Sequence, residues 1–263
     1  MAEPRTAGAA APVAVITGGA GGIGSAVAHR LAADGHRVVI ADVNSEHGRA
    51  VADRVGGRFI RTDVASPDDN QALIAAVTED FGRLDVLCLN AGIPAGTAIG
   101  PEFDLQRYRH SMHVNLDGVI LGVQAALPWL QRGGGAIVAT ASLAGIAPSA
   151  DVCYAAAKHA VIGLVRSLAP TLQPHHVTIN AVCPGFIDTP LLAPHHTHLI
   201  EHGIALAPPT LVADAIAAVL ATGTTGQAWE VQAHRPLAPI AFPQITITRT
   251  SGDGAADTVL DGR

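Results

Sequence analysis

Residues 13–24 read VAVITGGAGGIG: a short apolar run meets a glycine-rich turn, and a helical pattern with Val27 and Leu31 follows. A strand, a glycine-rich turn and a helix in this order form the context of a dinucleotide-binding site. Glycines let the backbone approach a pyrophosphate closely, and a helix N-terminus offers free N–H groups to its charge. Many tight turns are also rich in glycine, so the prediction of a dinucleotide site depends on the flanking strand and helix.

The next apolar run, Arg37 to Ala41, ends at Asp42. A carboxylate about 20 residues beyond the glycines can hold the adenosine ribose hydroxyls and would repel a 2′-phosphate. Neither the glycine-rich turn nor Val43-Asn44 supplies a cation that could receive such a phosphate. The sequence therefore predicts NAD rather than NADP, with a turn or helix cap as the alternative role of Asp42.

Apolar strand-like runs then alternate with helical patterns along the chain. This alternation predicts a parallel sheet with helices on both faces, and ligands bind outside the carboxyl ends of such strands. Asp63 and Val64 follow a strand at Arg58–Thr62, where Asp63 could contact the adenine edge or cap the next helix. The segments that follow strand ends, and so share one rim, are Gly18–Gly24, Asp42, Asn90 and Ser142.

Tyr154 and Lys158 are four residues apart, so on a helix they lie one above the other. A phenol has a pKa of ~10, and a neighbouring cation lowers it, so the pair is a plausible base for an alcohol proton. Lys158 is the only lysine, against 15 arginines. Because Lys can release its proton and Arg cannot, this usage suggests chemistry at position 158. A chance Tyr and Lys on an amphipathic helix is the alternative.

Two further polar residues are candidates for the same site. Ser142 follows the apolar run Ala136–Thr140, so its hydroxyl can converge on the Tyr-Lys pair from a strand end. Asn115 lies in a long helical pattern from about Leu105 to Leu130. Asn is intrinsically disfavoured within a helix, and the periodicity alone leaves a surface role and a functional role equally open.

Composition limits the class of protein. The 263 residues are 49% hydrophobic, which is ample for the core of an α/β domain, and a net charge of -6 argues against a nucleic-acid surface. No apolar run reaches the ~18 residues of a membrane span. Cys88, Cys153 and Cys183 lie in apolar runs without CxxC spacing, which favours free thiols in the reducing cytoplasm.

One short motif points to a different chemistry. Residues 198–202 read HLIEH, which matches a helical zinc-peptidase pattern. The match is short, the chain contains 13 histidines, and no metal site is predicted from it.

Together the motifs resemble the short-chain dehydrogenase/reductase family from about Val13 to Gln232. The cofactor motif T-G-x-x-x-G-x-G corresponds to Thr17, Gly18, Gly22 and Gly24, and the N-A-G motif to Asn90, Ala91 and Gly92. The catalytic tetrad corresponds to Asn115, Ser142, Tyr154 and Lys158, and the P-G-x-x-x-T stretch to Pro184, Gly185 and Thr189. These motifs occur in the family's order and spacing.

The resemblance implies a Rossmann-like, doubly wound, seven-stranded parallel sheet and a nicotinamide-dependent interconversion of alcohols and carbonyls. It implies that Tyr154 moves the hydroxyl proton and that Lys158 lowers its pKa and binds the nicotinamide ribose. Ser142 would bind the substrate oxygen, and Asn115 would position a water in the proton relay. The cofactor site then comprises Thr17, Gly18, Gly22, Ile23, Gly24, Asp42, Asp63, Val64, Asn90, Ala91, Gly92, Tyr154, Lys158, Pro184, Gly185, Ile187 and Thr189.

Similar enzymes are dimers or tetramers that pair the helices containing Asn115 and Lys158, so a homodimer or homotetramer is expected. Two departures from the family pattern are Leu89, where a second Asn is frequent, and the chain beyond the last predicted strand. We expect a flexible arm at 1–12, one catalytic domain at 13–235, and a tail at 236–263. Residues 236–250 of that tail are expected to pack on the surface, and residues 251–263 to be mobile.

The predicted substrate pocket is formed by segments 93–100, 144–152 and 186–207, which are mostly small or apolar. No Lys or Arg lies between Ser167 and His234, although a phosphate, CoA or carboxylate substrate usually requires such a cation. A neutral secondary alcohol or ketone, such as a terpenoid, steroid or alicyclic alcohol, is therefore favoured. A carbonyl reductase of acyl-type substrates is the alternative enzyme. An NAD-binding regulator is the non-enzyme alternative, against which the intact tetrad argues.

Overall fold

A computed structural model describes residues 10–243, 245–251 and 254–260 of the chain. Its main sheet has eight strands in the order β3-β2-β1-β4-β5-β6-β7-β8, and every neighbouring pair is parallel except β7 with β8. The doubly wound parallel sheet is therefore confirmed, with a two-residue antiparallel strand added to the seven expected. The strands are β1 Val13–Thr17, β2 Arg37–Asp42, β3 Arg58–Arg61, β4 Val86–Leu89, β5 Gly135–Thr140, β6 Val177–Pro184, β7 Ala228–Val231 and β8 Ala238–Pro239.

Helices cover both faces of the sheet, and each face has its own apolar cluster. The helices α3, α5 and α6 pack on one face, and α1, α2 and α8 on the other. Strands β1 and β4 are buried along their whole length, as expected for parallel strands covered on both faces. The helices are α1 Gly22–Ala33, α2 Ser45–Val55, α3 Pro67–Phe81, α4 Leu105–Met112, α5 Gly118–Gly133, α6 Val152–Leu172, α7 His196–Glu201 and α8 Pro209–Thr222.

The predicted long helix at 105–130 is interrupted. A π-helical turn, His113–Asp117, separates α4 from α5 and has Asn115 at its centre. The Asn115 side chain bonds backbone groups outside its own helix instead of facing solvent. Such π-turns in helices frequently occur at functional sites.

Helix α6 has an apolar composition because its inner face belongs to the core. Val161 and Val165 of this helix pack in the same cluster as Ile137 and Ile179 of the sheet. By length and composition alone, the helical stretch 152–175 passes the test for a membrane span, the one stretch of the described residues that does so. In this fold it supports the sheet.

The segment after β7 folds back on the sheet. Strand β8 pairs with β7, and the Ile240 N–H donates to the Ala228 carbonyl oxygen at 2.7 Å. The Arg166 guanidinium lies 4.0 Å from the centroid of the Phe242 ring, which fixes this segment to α6. Together these contacts cover the edge of β7, an edge that would otherwise be free to pair with another chain.

Two further strands follow, β9 Ile245–Ser251 and β10 Gly254–Leu260, which form an antiparallel hairpin. The strand expected at 244–250 thus corresponds to β9. Residues 254–260 form a strand where the sequence suggested a mobile tail. The expected N-terminal arm lies outside the described residues up to residue 9, as do residues 252–253 and 261–263 of the expected tail.

Candidate active site

The glycine-rich turn between β1 and α1 packs closely against the loop after β4. Gly18 has φ 64°, and a Cβ on it would lie 2.7 Å from the Ala91 Cα. Helix α1 begins after Gly21 without a side-chain cap, and its first turn contains no acidic residue. Its first N–H groups and its positive dipole end are therefore available to an anion. Gly18, Gly22, Ile23 and Gly24 fit the pyrophosphate of a dinucleotide and would hold it.

Asp42, the last residue of β2, lies directly beside this turn. Its Oδ2 accepts a hydrogen bond from the Ala20 N–H at 3.0 Å, and its Oδ1 accepts one from the Asn44 N–H at 2.9 Å. The carboxylate is thus fixed where the adenosine ribose is expected. These bonds support the turn itself, which is the turn role considered for Asp42, and its role in holding the ribose stays a prediction. The next residue, Val43, is exposed and uncharged.

Asp63 and Val64 lie at the end of β3. The Asp63 Oδ1 accepts from the Ala65 N–H at 3.0 Å, which makes it a turn-stabilising residue. Val64 is buried, and its carbonyl oxygen accepts from the buried Asn70 side chain at 2.9 Å. Sequence reasoning missed Asn70, because one Asn in an amphipathic helix gives no recognisable signal. It holds the backbone at the position expected for the adenine.

A hydrogen-bond network connects the ends of β1, β4 and β5. The Thr17 hydroxyl accepts from the N–H groups of Asn90 at 3.0 Å and of Ala91 at 3.2 Å. The Asn90 amide donates to the carbonyl oxygens of Thr17 and Gly18 at 3.2 and 3.3 Å. Its Oδ1 accepts from the Thr140 hydroxyl at 3.1 Å. The cofactor rim is therefore one connected unit.

Asn115 is fully buried and fixes the loop that follows β4. Its Oδ1 accepts from the Ile93 N–H at 3.1 Å, and its Nδ2 donates to the Ile93 carbonyl oxygen at 2.7 Å. A Cβ on Gly92 would lie 2.9 Å from the Asn115 Oδ1 and 3.3 Å from the Lys158 Nζ. A glycine at position 92 therefore avoids a clash with the side chains of Asn115 and Lys158. The structure assigns Asn115 a loop-holding contact, and its role in a water relay stays a prediction.

Lys158 is 2% exposed and is the largest fully buried side chain of the described residues. Its Nζ donates to the Thr140 carbonyl oxygen at 2.9 Å. Burial lowers the pKa of Lys158 to about 8, and the nearby Cys183 opposes that change. An ammonium whose pKa is this close to neutrality can both donate and release a proton.

Tyr154 lies one helical turn before Lys158, with the Lys158 Nζ 5.5 Å from the centroid of its ring. Burial raises the pKa of Tyr154, a hydrogen bond to Ser142 lowers it, and the charge of Asp151 raises it. The net direction is upward, whereas the sequence predicted a decrease caused by Lys158. The physical reason is that burial disfavours the charged form of both residues.

Ser142 stands at the first position after β5 that can reach Tyr154. Its backbone is extended, and its Oγ accepts from the Ala144 N–H at 3.1 Å. Because the Ser142 side chain is near enough to lower the pKa of Tyr154, the two hydroxyls are positioned to bind one substrate oxygen. The structure thus brings Ser142, Tyr154 and Lys158 together, with Asn115 behind them.

The P-G motif lies on the opposite side of the glycine-rich turn. Ile187 is buried and pairs with Ala207, which holds the start of the segment above the sheet edge. A Cβ on Gly22 would lie 2.8 Å from the Thr189 Cγ2, so this segment touches the turn. Pro184, Gly185, Ile187 and Thr189 are therefore placed where they could close over a dinucleotide.

The rim of the predicted substrate pocket exposes apolar side chains. Val152, Phe186 and Leu191 are each 43–44% exposed, so these apolar side chains are available to contact a ligand. The arrangement suits an apolar ligand.

The zinc-like motif forms part of the short helix α7. The rings of His198 and His202 lie with centroids 4.0 Å apart, and the His202 Nδ1 contacts the His198 carbonyl oxygen at 2.8 Å. Within residues 10–243, 245–251 and 254–260, no group of three or more His, Cys, Asp or Glu side chains is arranged to hold a metal ion.

Two more site residues escaped sequence reasoning. Thr140 contacts both Asn90 and Lys158, yet it looked like an ordinary strand residue. Asp151 caps α6, accepting from the Tyr154 N–H at 3.1 Å. An Asp just before a helical pattern is a recognisable cap signal, but its second bond, from the Ala95 N–H at 2.9 Å, is not visible in the sequence.

Comparison with known proteins agrees with this geometry. The family described as "short chain dehydrogenase" matches residues 12–199. A 2,5-dichloro-2,5-cyclohexadiene-1,4-diol dehydrogenase of Sphingobium indicum is 40% identical over 184 residues, which cover 68% of this chain and 73% of that protein. A cyclohexanol dehydrogenase of Acinetobacter sp. is 37% identical over 188 residues, which cover 69% of this chain and 75% of that protein.

Solved structures share the fold. The structure of a 3-ketoacyl-(acyl-carrier-protein) reductase from Brucella melitensis, complexed with NADH, aligns with a TM-score of 0.79 at 28% identity. The alignment covers 85% of this chain and 98% of that one.

Proposed function

The chain belongs to the short-chain dehydrogenase family, and on that premise we propose that it interconverts alicyclic secondary alcohols and ketones with NAD. The observation that carries the proposal is the single buried lysine one turn after Tyr154, with a pKa of about 8. Ser142, which lies near the same tyrosine, completes the group that would act on a hydroxyl. Tyr154 and Lys158 could also contact a cofactor that is only bound, whereas Ser142 beside them serves a substrate oxygen.

In the oxidative direction, the alcohol oxygen would lie between Ser142 and Tyr154. Ser142 would orient that oxygen, and Tyr154 would remove its proton as general base. NAD, when bound, accepts the hydride from the alcohol carbon. Lys158 would hold the nicotinamide ribose and would stabilise the ionised Tyr154 through its positive charge. In reduction, Tyr154 would return the proton to the carbonyl oxygen.

Two observations support an alicyclic alcohol. Two relatives at 37–40% identity are named for cyclohexanol and for a cyclohexadiene diol. The pocket rim exposes Val152, Phe186 and Leu191, and the chain has no Lys or Arg between Ser167 and His234. Such a rim favours a compact apolar ring over a substrate held by a phosphate or carboxylate. Reduction of an acyl-type ketone is the second candidate, favoured by the structural likeness to a 3-ketoacyl reductase.

The preference for NAD rests on Asp42 and Val43. The Asp42 carboxylate is fixed beside the glycine-rich turn, where it can accept bonds from ribose hydroxyls. It would repel a 2′-phosphate, and the exposed Val43 offers no charge to offset that repulsion.

Steady-state kinetics on a matched panel test both parts of the proposal. The panel is cyclohexanol, 4-methylcyclohexanol, a 3-hydroxysteroid, the open-chain 2-octanol and 4-hydroxycyclohexanecarboxylate, each with NAD and with NADP. We expect the neutral ring alcohols to give the highest kcat/KM, and NAD to exceed NADP at least tenfold. A 3-ketoacyl thioester reduced faster than cyclohexanone would favour the second candidate. Cofactor binding without turnover of any substrate would favour a regulator.

The variant Asp42→Ala separates the cofactor claim from the substrate claim. Removing the carboxylate should weaken NAD binding and lower the ratio of kcat/KM with NAD to kcat/KM with NADP. The order of preference among the alcohols should stay unchanged. A wild-type kcat/KM with NADP that equals or exceeds the value with NAD would overturn the preference.

We further propose a homo-oligomer in the cytoplasm. Leu105 of α4 and Ile120 of α5 are 46% and 42% exposed, which is consistent with a face that pairs with a second copy. The buried, unpaired thiols Cys88, Cys153 and Cys183 are compatible with a reducing compartment. Light scattering after gel filtration distinguishes dimer, tetramer and monomer.

A further inference from the structure

The carboxylate of Asp151 connects two parts of the site that are 56 residues apart in the chain. Its Oδ1 accepts from the Tyr154 N–H at 3.1 Å, at the start of α6. Its Oδ2 accepts from the Ala95 N–H at 2.9 Å, in the loop after β4. We propose that Asp151 is a positioning residue that fixes the loop at 93–100 to the catalytic helix, so that Tyr154 and this wall of the substrate pocket move as one body.

The loop depends on individual hydrogen bonds because it contains no regular secondary structure. Residues 90–98 contain no helix or strand, and Gly96 and Gly100 both have positive φ values, 63° and 133°. Asn115 holds the loop at Ile93, two residues before Ala95. On the other side, the exposed Arg107 donates to the Gly96 carbonyl oxygen at 3.0 Å. Within the loop, the Thr97 Oγ1 accepts from the Asp104 N–H at 2.8 Å. Of these four contacts, the one from Asp151 comes from the start of the helix that carries Tyr154 and Lys158.

The identity of the residue matters for this double contact. Ser, Thr or Asn at the same position could cap α6, since each offers one acceptor oxygen to the Tyr154 N–H. A second acceptor is needed for the Ala95 N–H, and only a carboxylate presents two from one short side chain. An Asn would present an NH2 group to the Ala95 N–H, which places one donor against another. Asp151 therefore accepts one hydrogen bond more than a helix cap requires.

Two observations indicate that the connection bears on the chemistry. Ala95 is 3% exposed, so its N–H lies away from solvent that could replace the lost bond. Burial raises the pKa of Tyr154, and the Asp151 charge is close enough to raise it further. The same carboxylate therefore acts on Tyr154 through its charge as well as through the backbone N–H.

The test compares Asp151→Ser with Asp151→Ala. Serine keeps a cap for α6 and loses the bond to Ala95, whereas alanine loses both. If the role of Asp151 is positioning, both variants should lose at least tenfold in kcat/KM for the alcohol, with an unchanged KM for NAD. The melting temperature of the serine variant should stay closer to that of the wild type. Asp151→Asn, which keeps the shape, should resemble the serine variant.

The kinetic part of this test rests on the proposed function, because it requires a substrate. Hydrogen exchange gives a readout that does not depend on the substrate. Amides in peptides covering 93–100 should exchange at least tenfold faster in Asp151→Ser than in wild type, while peptides from the middle of α6 exchange alike. If exchange at 93–100 is unchanged, or if serine restores wild-type kcat/KM, Asp151 is only a cap. Should the serine variant fail to fold, Asp151→Asn is measured in the same way. A wild-type enzyme inactive on the panel refutes the proposed function and leaves the exchange result valid.

Discussion

The Lys158 ammonium donates a 2.9 Å hydrogen bond to the carbonyl oxygen of Thr140, the last residue of β5. The Thr140 hydroxyl in turn donates to the Asn90 side chain at 3.1 Å. One strand end therefore holds the lysine of the catalytic helix and the polar rim of the cofactor site. A shift of this strand end would displace both the lysine and the polar rim. The shared strand end therefore keeps the lysine and the rim in a fixed relative position without a direct contact between them.

Tyr154→Phe should abolish turnover and leave NAD binding nearly intact, because only the hydroxyl is lost. General acid–base groups contribute about 10²–10⁴ in rate, so kcat should fall by at least a hundredfold. Stopped-flow or steady-state kinetics measure kcat, and fluorescence titration measures the Kd for NAD. Tyr108→Phe, the other tyrosine of the chain, is the matched control and should keep wild-type kinetics. Retention of most of the activity by Tyr154→Phe would exclude the proposed base.

Lys158→Arg should be nearly inactive although the positive charge remains. The Lys158 side chain is buried, and a guanidinium is larger, planar and unable to release its proton. We expect kcat/KM to fall by at least a hundredfold and the melting temperature to drop. Lys158→Met separates charge from shape, since methionine can fill the buried site but has no charge. If this variant folds better than Lys158→Arg and is equally inactive, activity needs both the labile proton and a side chain that fits the buried site. An active arginine variant would contradict the proton-transfer role.

Lys158 should also make stability depend on pH. Its pKa is about 8 in the fold against 10.5 in the unfolded chain, so between these values the unfolded chain binds more protons. Stability from this group therefore rises with pH through that window. Tyr154, Cys88 and Cys183 have raised pKa values, so the stability that they contribute falls at high pH. Of these three groups, only Cys183 has a pKa on which the Lys158 charge also acts, and that charge lowers it.

The difference between wild type and Lys158→Met isolates the lysine together with its effect on Cys183. The unfolding free energy of wild type minus that of the variant should increase by about 1–2 kcal/mol between pH 8 and pH 9.5. Urea unfolding at several pH values measures it. A difference that stays constant over this range would show that Lys158 keeps its ordinary pKa in the fold.

Truncation after Arg235 should destabilise the protein more than truncation after Pro243. The first removes β8, the 2.7 Å bond from Ile240 to Ala228, and the contact between Arg166 and Phe242. The second keeps all three and removes only the chain beyond them. Melting temperature, light scattering and KM are the measurements. Equal values for the two truncations would show that the segment 236–243 contributes nothing to stability, assembly or the pocket.

The sequence predicted those parts of the site whose signals are local. The glycine-rich turn, the strand ends and the Tyr-Lys spacing each depend on a few neighbouring residues, so the turn after β1 and the pairing of Tyr154 with Lys158 were foreseeable. The direction of the Tyr154 pKa shift was not. It depends on how far burial outweighs nearby charges, which no spacing in the chain reveals.

Contacts between distant segments were also beyond the sequence. Asn115 could be seen as an Asn in a helix, but its bonds to Ile93 require the folded loop. The same holds for Asp151 and Ala95, and for Thr140 and Lys158. In each case one partner is a backbone group, whose position is set by the fold and not by the identity of its residue.

The buried position of the only lysine has a practical consequence for proteolysis. A protease that cleaves only after lysine has one possible site in the whole chain, and that site lies inside α6 with its side chain 2% exposed. Cleavage requires this helix to open, and it yields the fragments 1–158 and 159–263 in a single cut. The rate at which the intact band disappears therefore reports the opening of the catalytic helix. NAD, by stabilising the closed form, should slow the digestion in proportion to its occupancy.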